Sequence, residues 1–196
     1  MKTLVLFDFD GTITKKDTFP LFFKHTFGAG YFYLGFSLFI PFFILFKLKL
    51  YNAERFKIKM ISFYLKGKSK EWIENKGKEF IEYAYTSGII KTEFINRINE
   101  FKIKQFDVAV VSASPDAWIE QFCEEIGIIC ICTQLAYNNN IFNGKLNGNN
   151  CNSEEKRNRV IKHFNLSSYS NIIVFGDSIE GDGAMMELGT EKNWIK

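Results

Sequence analysis

Short apolar runs recur at three places along the chain, and each is followed at once by polar residues. The runs are Thr3–Phe7, Asp107–Val111 and Asn171–Phe175, and they are followed by Asp8, by Ser112 and by Gly176-Asp177. Runs of this length without polar interruption are typical of parallel β-strands that are buried on both faces. Because sites in open α/β sheets form beyond the carboxyl ends of the strands, the pattern predicts a site at this edge.

Helical patterns separate the predicted strands. Pro115 suits the first position of a helix that runs to Glu125 with Gly127 after it, and Ser153 suits the cap of a helix to about Phe164. A fourth strand is predicted at Ile128–Thr133, between these two helices. The Asn-rich stretch Asn138–Asn152 predicts hairpin turns and loops. Any strand after Gly189 must be very short, because few residues remain.

Residues 17–88 interrupt the alternation of strands and helices. Helical periodicity predicts helices at Asn52–Lys66 and at Ser69–Ser87, and Gly88 closes the second one. The predicted fold is therefore α/β, with a Rossmann-like parallel sheet and an all-helical cap inserted after the first strand. The predicted division is a core of residues 1–16 and 89–196 and a cap of residues 17–88.

Composition narrows the class of protein. The chain has 196 residues, 46% of them hydrophobic, and a net charge of +3 from scattered rather than clustered basic residues. This balance gives no indication of nucleic-acid binding. The four cysteines, Cys123, Cys130, Cys132 and Cys151, form no C-x-x-C pair, so we expect free thiols and no zinc site. We expect a reduced, cytoplasmic protein without a signal peptide.

Asp8 and Asp10 follow the first strand and are separated by one residue. A carboxylate can attack phosphorus, and a second acid can protonate the leaving oxygen and then deprotonate water. Both reactants are negative, so a cation that prefers oxygen ligands, such as Mg²⁺, is needed. Gly11 allows a sharp turn whose amides can face phosphate oxygens. Two acids at a strand end are also common on surfaces without a catalytic role. Whether Asp8 and Asp10 belong to an active site is therefore judged from the residues around them.

Four further residues fit the same chemistry. Ser112 precedes a helix N-terminus, where a hydroxyl and amides suit a phosphate oxygen, and Lys156 can act as a point charge. Asp177 and Asp182 place several carboxylates after one buried strand, where they repel each other unless a cation binds. Taken singly, each of these residues is more often a cap, a surface lysine or a loop acid.

Together these residues resemble the motifs of the haloacid-dehalogenase-like hydrolase superfamily. Asp8-Phe9-Asp10-Gly11-Thr12 is similar to its first motif, Val110-Val111-Ser112-Ala113-Ser114-Pro115 to its second, Lys156 to its third, and Gly176-Asp177 with Asp182 to its fourth. The insertion between the first and second motifs resembles the phosphoserine-phosphatase-like branch, subfamily IB, with its helical C1 cap.

The resemblance implies a role for each matching residue. Asp8 would be the nucleophile and Asp10 the general acid and base. The metal site would hold Mg²⁺ through Asp8, the Asp10 backbone carbonyl and Asp177, with Asp182 supporting the metal or pairing with Lys156. The implied phosphate-binding residues are Gly11, Thr12, Ser112, Ala113 and Lys156. An acid at position 10 is the pattern of phosphatases rather than of dehalogenases or transport ATPases.

The substrate is less constrained by the resemblance. Phosphoserine phosphatases bind the substrate amine with a Glu, and this chain has Asp17 at the matching place. They bind the substrate carboxylate with an Arg of the cap, for which Arg55 is the nearest match. The second motif lacks their Ser-Gly-Gly, so we do not expect phosphoserine to be the substrate. A small soluble phosphate ester is the expected substrate.

The stretch Phe27–Phe46 contains no charged residue, and its length approaches the ~20 residues of a membrane span. A single span would separate Asp8 from the later motifs, so we favour a cap core or an oligomer contact. The alternative is a helical hairpin at a membrane surface, broken at Pro41 or at the glycines. That alternative predicts a peripheral membrane protein that hydrolyses a lipid phosphate similar to phosphatidylglycerophosphate.

A third hypothesis is an interaction module that keeps the fold without catalysis. The complete set of Asp8, Asp10, Ser112, Lys156 and Asp177 argues against it. The sequence sets neither the oligomeric state nor the identity of the substrate.

Overall fold

Five parallel strands form the central sheet of the computed structural model, which describes residues 2–48, 50 and 52–195. They are β1 (Lys2–Phe7), β2 (Asp107–Pro115), β3 (Ile129–Thr133), β6 (Tyr169–Gly176) and β7 (Glu191–Trp194), and the labels β4 and β5 are kept for a separate hairpin. Across the sheet the strands follow the order β3-β2-β1-β6-β7. All three strands predicted from apolar runs are present, and the last strand is as short as expected.

Helices connect the strands of the sheet, and most of them lie between the first two strands. They are α1 (Thr18–Phe27), α2 (Ala29–Leu38), α3 (Ile40–Lys47), α4 (Ala53–Leu65), α5 (Lys70–Thr86), α6 (Thr92–Ile103), α7 (Asp116–Ile126), α8 (Glu154–His163) and α9 (Ile179–Met186). Asn52 and Ser69, the first residues of two predicted helical segments, accept hydrogen bonds from the backbone amides of Arg55 and Trp72. These two helices therefore begin where the sequence predicts.

The two faces of the sheet carry separate apolar clusters because successive side chains of a strand point to opposite sides. On one face Val5 and Phe7 pack with residues of α5, α6 and α7, and on the other Leu4 and Leu6 pack with Val160 of α8 and with α9. Helices cover both faces of the sheet, which explains why the sequences of the strands are continuous apolar runs.

Helices α1 to α5 all lie between β1 and β2 in the chain. The chain enters and leaves this insertion through paired backbone, since Lys15 N donates to Ile89 O at 2.9 Å and Lys91 N donates to Ile13 O at 2.9 Å. Apolar residues of the insertion, such as Phe22 and Phe80, belong to the same buried cluster as β1. The insertion thus shares its core with the sheet, and the domain boundaries at residues 16/17 and 88/89 stay a prediction.

The uncharged stretch Phe27–Phe46 is divided between helices rather than continuous. Gly28 (φ 81°) separates α1 from α2, and Phe39 separates α2 from α3, while Pro41 lies inside the first turn of α3. The glycines and Pro41 are the alternative break points that the sequence predicts. One interruption lies at Gly28, and the other lies at Phe39, two residues before Pro41, which is accommodated in the first turn of α3. None of the helices in the described part of the chain has the length and hydropathy that a transmembrane span needs.

Three local predictions need correction. The Asn-rich segment contains a real hairpin, β4 (Leu135–Asn138) and β5 (Ile141–Leu146), and only its turn and the residues after it are irregular. Pro115 ends β2 instead of beginning the helix, which starts at Asp116. Ser153 does stand before α8, but its hydroxyl contacts Glu180 O and makes no cap bond to the helix.

Candidate active site

The carboxyl ends of β1, β2 and β6 lie side by side at one edge of the sheet. Phe7 is in register with Val110 on one side and with Phe175 on the other. The residues that follow these strands therefore converge on a cavity of about 420 Å³. Six of the predicted site residues line it: Asp8, Asp10, Asp17, Ala113, Lys156 and Asp177.

Asp8 is buried at the base of this cavity and is held from one side only. Lys156 Nζ donates to Asp8 Oδ1 at 2.5 Å, whereas Asp8 Oδ2 is buried without a hydrogen-bond partner. Burial raises the pKa of Asp8 to about 7, against the attraction of the Lys156 ammonium. One carboxylate oxygen thus remains available to a cation or to an electrophile.

Lys156 lies between two buried carboxylates. Its ammonium donates to Asp8 and also to Asp182 Oδ1 at 2.6 Å, and only 2% of its side chain is exposed. Burial disfavours its charge, but the two carboxylates prevail and raise the pKa of Lys156 above its usual value. Lys156 is therefore a fixed positive charge beside Asp8.

Asp182 has both carboxylate oxygens occupied by the protein. Oδ1 accepts from Lys156, and Oδ2 accepts from the backbone amides of Asp177 and Ser178 at 3.1 Å each. Of the two roles predicted for Asp182, pairing with Lys156 is the one that these contacts match. Asp177, by contrast, is exposed toward the cavity. Partial loss of solvent around its carboxylate, together with the negative charge of Asp182, raises its pKa.

The acidic residues offer a set of oxygen ligands for a hard divalent cation. Asp8, Asp177 and Asp182 each contribute a carboxylate oxygen, and these oxygens lie within 4.8 Å of one another. The unpartnered Asp8 Oδ2 is an atom that such a cation would satisfy. Gly11 (φ 81°) passes so close that a Cβ there would lie 2.0 Å from Asp177 Oδ2, so the turn is shaped around this carboxylate. The residues present thus fit Mg²⁺.

Asp10 is oriented by three hydrogen bonds. Its Oδ1 accepts from Thr18 N at 2.7 Å and from Thr18 Oγ1 at 2.5 Å, and its Oδ2 accepts from Ser114 Oγ at 2.6 Å. The Thr18 hydroxyl in turn accepts from Trp118 Nε1 at 2.9 Å. The side chain of Asp10 is thereby fixed at the cavity wall, away from the group formed by Asp8, Asp177 and Asp182.

Two predicted phosphate ligands lie behind the cavity surface. Ser112 is fully buried within β2, and its hydroxyl accepts from Ser114 N at 3.0 Å. Thr12 is fully buried too, and its hydroxyl has no partner in the described structure. Ala113, in contrast, lines the cavity, and its carbonyl accepts from Lys57 Nζ and Thr133 Oγ1, each at 2.7 Å.

The insertion contributes a lysine that the sequence did not single out. Lys57 of α4 reaches the cavity beside Asp10 and Asp17, and burial lowers its pKa against the influence of these two acids. Arg55, the predicted residue, is exposed and does not line the cavity. The two positions are about 200° apart around a helix, so only one of them can face the site.

Asp17 stands at the cavity mouth and caps α1. Its Oδ1 accepts from Phe19 N at 2.9 Å, and partial loss of solvent around the carboxylate together with the negative charge of Asp10 raises its pKa to about 6. The other residues that sequence reasoning missed are Ser114, Thr18 and Asn152. Ser114 was recognisable as the second hydroxyl of the Ser112-Ala113-Ser114 string, whereas Thr18 and Lys57 gave no signal of their own.

The fold and this arrangement define an α/β protein whose candidate active site is built from acids at the carboxyl end of a parallel sheet. The model of the haloacid dehalogenase-like hydrolase family matches residues 5–187, and the chain belongs to that family. The resemblance inferred from the four motifs is therefore confirmed at the level of the family.

A curated relative and solved structures are similar to this chain, the structures in fold. Protein CicA of Caulobacter vibrioides is 30% identical over 193 residues, which cover 97% of this chain and 85% of CicA. A protein of unknown function from Bordetella pertussis Tohama I has a TM-score of 0.84 at 17% identity, covering 98% of this chain and 89% of that one. A phospho-aspartyl intermediate analogue of phosphoserine phosphatase has a TM-score of 0.64 at 22% identity, with coverages of 97% and 85%.

Proposed function

We propose that the protein is a Mg²⁺-dependent phosphomonoester hydrolase in which Asp8 is the nucleophile. The observation that carries this proposal is the asymmetric environment of Asp8, which has one oxygen bound by Lys156 and the other unpartnered at a cavity. An attacking carboxylate needs this combination of a fixed orientation and a free oxygen.

In the proposed reaction Asp8 attacks the phosphorus of the ester and forms an aspartyl-phosphate. Asp10 gives a proton to the departing alkoxide oxygen, then takes one from the water that hydrolyses the acyl phosphate and releases inorganic phosphate. Lys156 supplies positive charge to the phosphoryl oxygens throughout, and the donors Thr18 and Ser114 keep Asp10 in place.

Asp8, Asp177 and the Asp10 backbone carbonyl are the residues that would hold Mg²⁺, with Asp182 fixing Lys156 and the Asp177 backbone. The bound ion supplies charge neutralisation between the carboxylate and the phosphate ester. Ser112 and the Gly11-Thr12 turn stay candidates for contacts with phosphoryl oxygens, and Lys57 is a candidate contact for a second anionic group of the substrate.

The test is hydrolysis of an aryl phosphate and of a broad panel of phosphate monoesters, with and without Mg²⁺. We expect Mg²⁺-dependent turnover that is lost in Asp8→Asn and kept in Asp107→Asn, a strand acid distant from the cavity. Acid-quenched protein should carry one phosphoryl group on the peptide that contains Asp8. Turnover by Asp8→Asn at the wild-type rate, or none on the whole panel, would contradict the proposal.

A second candidate function, hydrolysis of an amphipathic phosphate ester at a membrane surface, is favoured by an exposed apolar surface on α2 and α3. Within α2 only Phe32 and Gly35 are buried, so a buried cap core accounts for one side of that helix alone. The apolar surface comprises Tyr31, Tyr33, Leu34, Leu38, Ile40, Ile44 and Leu45, each at least 39% exposed.

This apolar surface is connected to the cavity by aromatic packing. Phe56, which lines the cavity, packs against Phe39 and Phe43 with ring centroids 6.4 Å and 5.9 Å apart. An acyl chain lying on α2 and α3 would therefore have an apolar route toward the phosphate site.

Vesicles of phosphatidylcholine and phosphatidylglycerol distinguish the two substrate classes. The second candidate predicts co-sedimentation that is lost in Leu34→Asp/Leu38→Asp and kept in Ile103→Asp, which changes a similarly exposed apolar residue of α6. It also predicts faster turnover of phosphatidylglycerophosphate in those vesicles than of any soluble ester. Protein that remains in the supernatant supports the soluble substrate.

A further inference from the structure

Trp118 of α7 is fully buried, and its one polar group is engaged. The indole Nε1 donates to Thr18 Oγ1 at 2.9 Å, across 100 positions of the sequence. Thr18 Oγ1 in turn donates to Asp10 Oδ1 at 2.5 Å. An indole, a hydroxyl and a carboxylate thus form a continuous chain of hydrogen bonds that ends at the proposed general acid.

The chemistry of the indole gives this chain its direction. An indole N–H only donates, whereas a hydroxyl donates one hydrogen bond and accepts others. The Thr18 hydroxyl therefore accepts from Trp118. Within the described residues Asp10 Oδ1 is the one acceptor that this hydroxyl reaches, so its hydrogen points at the carboxylate.

The two oxygens of Asp10 consequently have different environments. Oδ1 accepts from Thr18 N at 2.7 Å as well as from the Thr18 hydroxyl, so donors occupy both of its lone-pair sites. Oδ2 accepts one hydrogen bond from the described part of the chain, from Ser114 Oγ at 2.6 Å, and keeps a second site. A proton on Oδ1 would face two donors, whereas a proton on Oδ2 fits beside the Ser114 bond.

Aromatic rings of the insertion hold Trp118 in place. Its ring stacks on Phe22 of α1 with centroids 4.4 Å apart and an interplanar angle of 23°, and Phe80 of α5 meets it edge-on at 6.2 Å. Helix α1 also begins with Thr18. The packing of the indole against α1 and α5 therefore places its N–H at the residue that contacts Asp10.

On the basis of the proposed role of Asp10, we propose that Trp118 is a positioning residue that makes Oδ2 the oxygen through which Asp10 exchanges its proton. As the P–O bond to the leaving group breaks, its electron pair takes the proton from Oδ2, and Asp10 becomes a carboxylate. Oδ2 then takes a proton from the water that hydrolyses the aspartyl-phosphate. Trp118 touches no reacting atom and acts through Thr18.

The experiment compares kcat/KM for phenyl phosphate and 4-nitrophenyl phosphate, two esters of similar shape, with saturating Mg²⁺. Phenolate is the more basic leaving group, so its departure depends more on a proton from Asp10. Trp118→Phe keeps an aromatic ring but removes the N–H. It should lower kcat/KM about tenfold for phenyl phosphate and less than about threefold for 4-nitrophenyl phosphate. Trp72→Phe, which removes an indole of α5 outside this chain, should keep the wild-type ratio.

Two substitutions of Thr18 separate positioning from packing. Thr18→Val should reproduce the change of ratio, and Thr18→Ser, which returns the hydroxyl, should restore the wild-type ratio. Thr18→Val combined with Trp118→Phe should lose no more than either single variant, because both act on the same interaction. Circular dichroism first establishes that each variant is folded.

The indole N–H resonance of Trp118 reports on the chain without any activity and without a Trp118 variant. It should shift in Thr18→Val and stay in place in Ser114→Ala. An unshifted resonance in Thr18→Val, equal losses on the two esters or additive losses in the combined variant would each overturn the proposal, while an active wild type would leave the proposed function intact. A wild type inactive on both esters and on the wider panel would instead contradict the proposed function, and this inference would fall with it.

Discussion

The Ser114 hydroxyl donates to Asp10 Oδ2 at 2.6 Å, across 104 positions of the sequence. The bond joins the segment after β1 to the end of β2, so the position of the proposed general acid depends on correct pairing of the two strands. On the other side Thr18, at the start of the insertion, holds the second oxygen of Asp10. The acid is thus positioned jointly by the sheet and the insertion.

Ser114→Ala should lower kcat by about tenfold to a hundredfold, because Asp10 loses the donor that fixes one of its oxygens. The fold should remain, since the Ser112 hydroxyl and the strand pairing are untouched. Steady-state kinetics on an aryl phosphate with saturating Mg²⁺ provide the measurement. Ser167→Ala, at an exposed hydroxyl outside the site, is the control, and an unchanged kcat in Ser114→Ala would show that Asp10 does not need this bond.

Lys156→Met should abolish activity and also destabilise the protein by about 3 kcal/mol, because two buried carboxylates lose the cation that they share. Urea unfolding and kinetics measure the two effects separately. Lys162→Met, on the exposed side of the same helix, should change neither. If Lys156→Met retained wild-type stability, Asp8 and Asp182 would have to be relieved in another way, and the charge balance inferred for the site would be incorrect.

The strands were predictable because a buried parallel strand leaves little choice of residue, and β1 begins one residue before the predicted Thr3. The starts of α4 and α5 were predictable because Asn52 and Ser69 precede helical periodicity, and their side chains do bond to the local backbone. Lys57 was not, since a lysine on an amphipathic helix gives no local sign of which way it points. The strand β5 was not predictable either, because Asn143 and Gly144 are typical of loops. Distant backbone holds this strand: Gly67 N donates to Phe142 O, and Phe142 N donates to Lys68 O.

Gly11→Ala should weaken Mg²⁺ binding by about tenfold to a hundredfold, because the new methyl group would displace Asp177. Titration of Mg²⁺ followed by thermal unfolding gives the apparent affinity. Gly28→Ala separates displacement from backbone strain, since Gly28 has the same φ of 81° but no heavy atom within 4 Å of the added Cβ. Equal losses of Mg²⁺ affinity in the two variants would attribute the effect to strain alone.

Asp116→Asn tests a buried acid outside the catalytic group. Its Oδ2 accepts from Leu135 N at 3.0 Å, its Oδ1 is buried without a partner, and burial raises its pKa to about 7. The folded protein therefore keeps a proton on Asp116 that the unfolded chain releases near pH 4. Stability should fall as pH rises between these two values, by at most about 1.4 kcal/mol per pH unit, and then level off.

Asparagine removes this titration and keeps an oxygen for Leu135 N, so Asp116→Asn should gain stability relative to the wild type as pH rises from about 4 to about 7. Urea unfolding across that range measures the difference. Asp107→Asn provides the opposite sign, because the Tyr169 hydroxyl lowers the pKa of Asp107, and its stabilising contribution is lost only on acidification. A stability difference for Asp116→Asn that does not vary with pH would mean that the carboxyl is ionised in the folded protein. The unpartnered Oδ1 would then have to be solvated by a bound water or a cation.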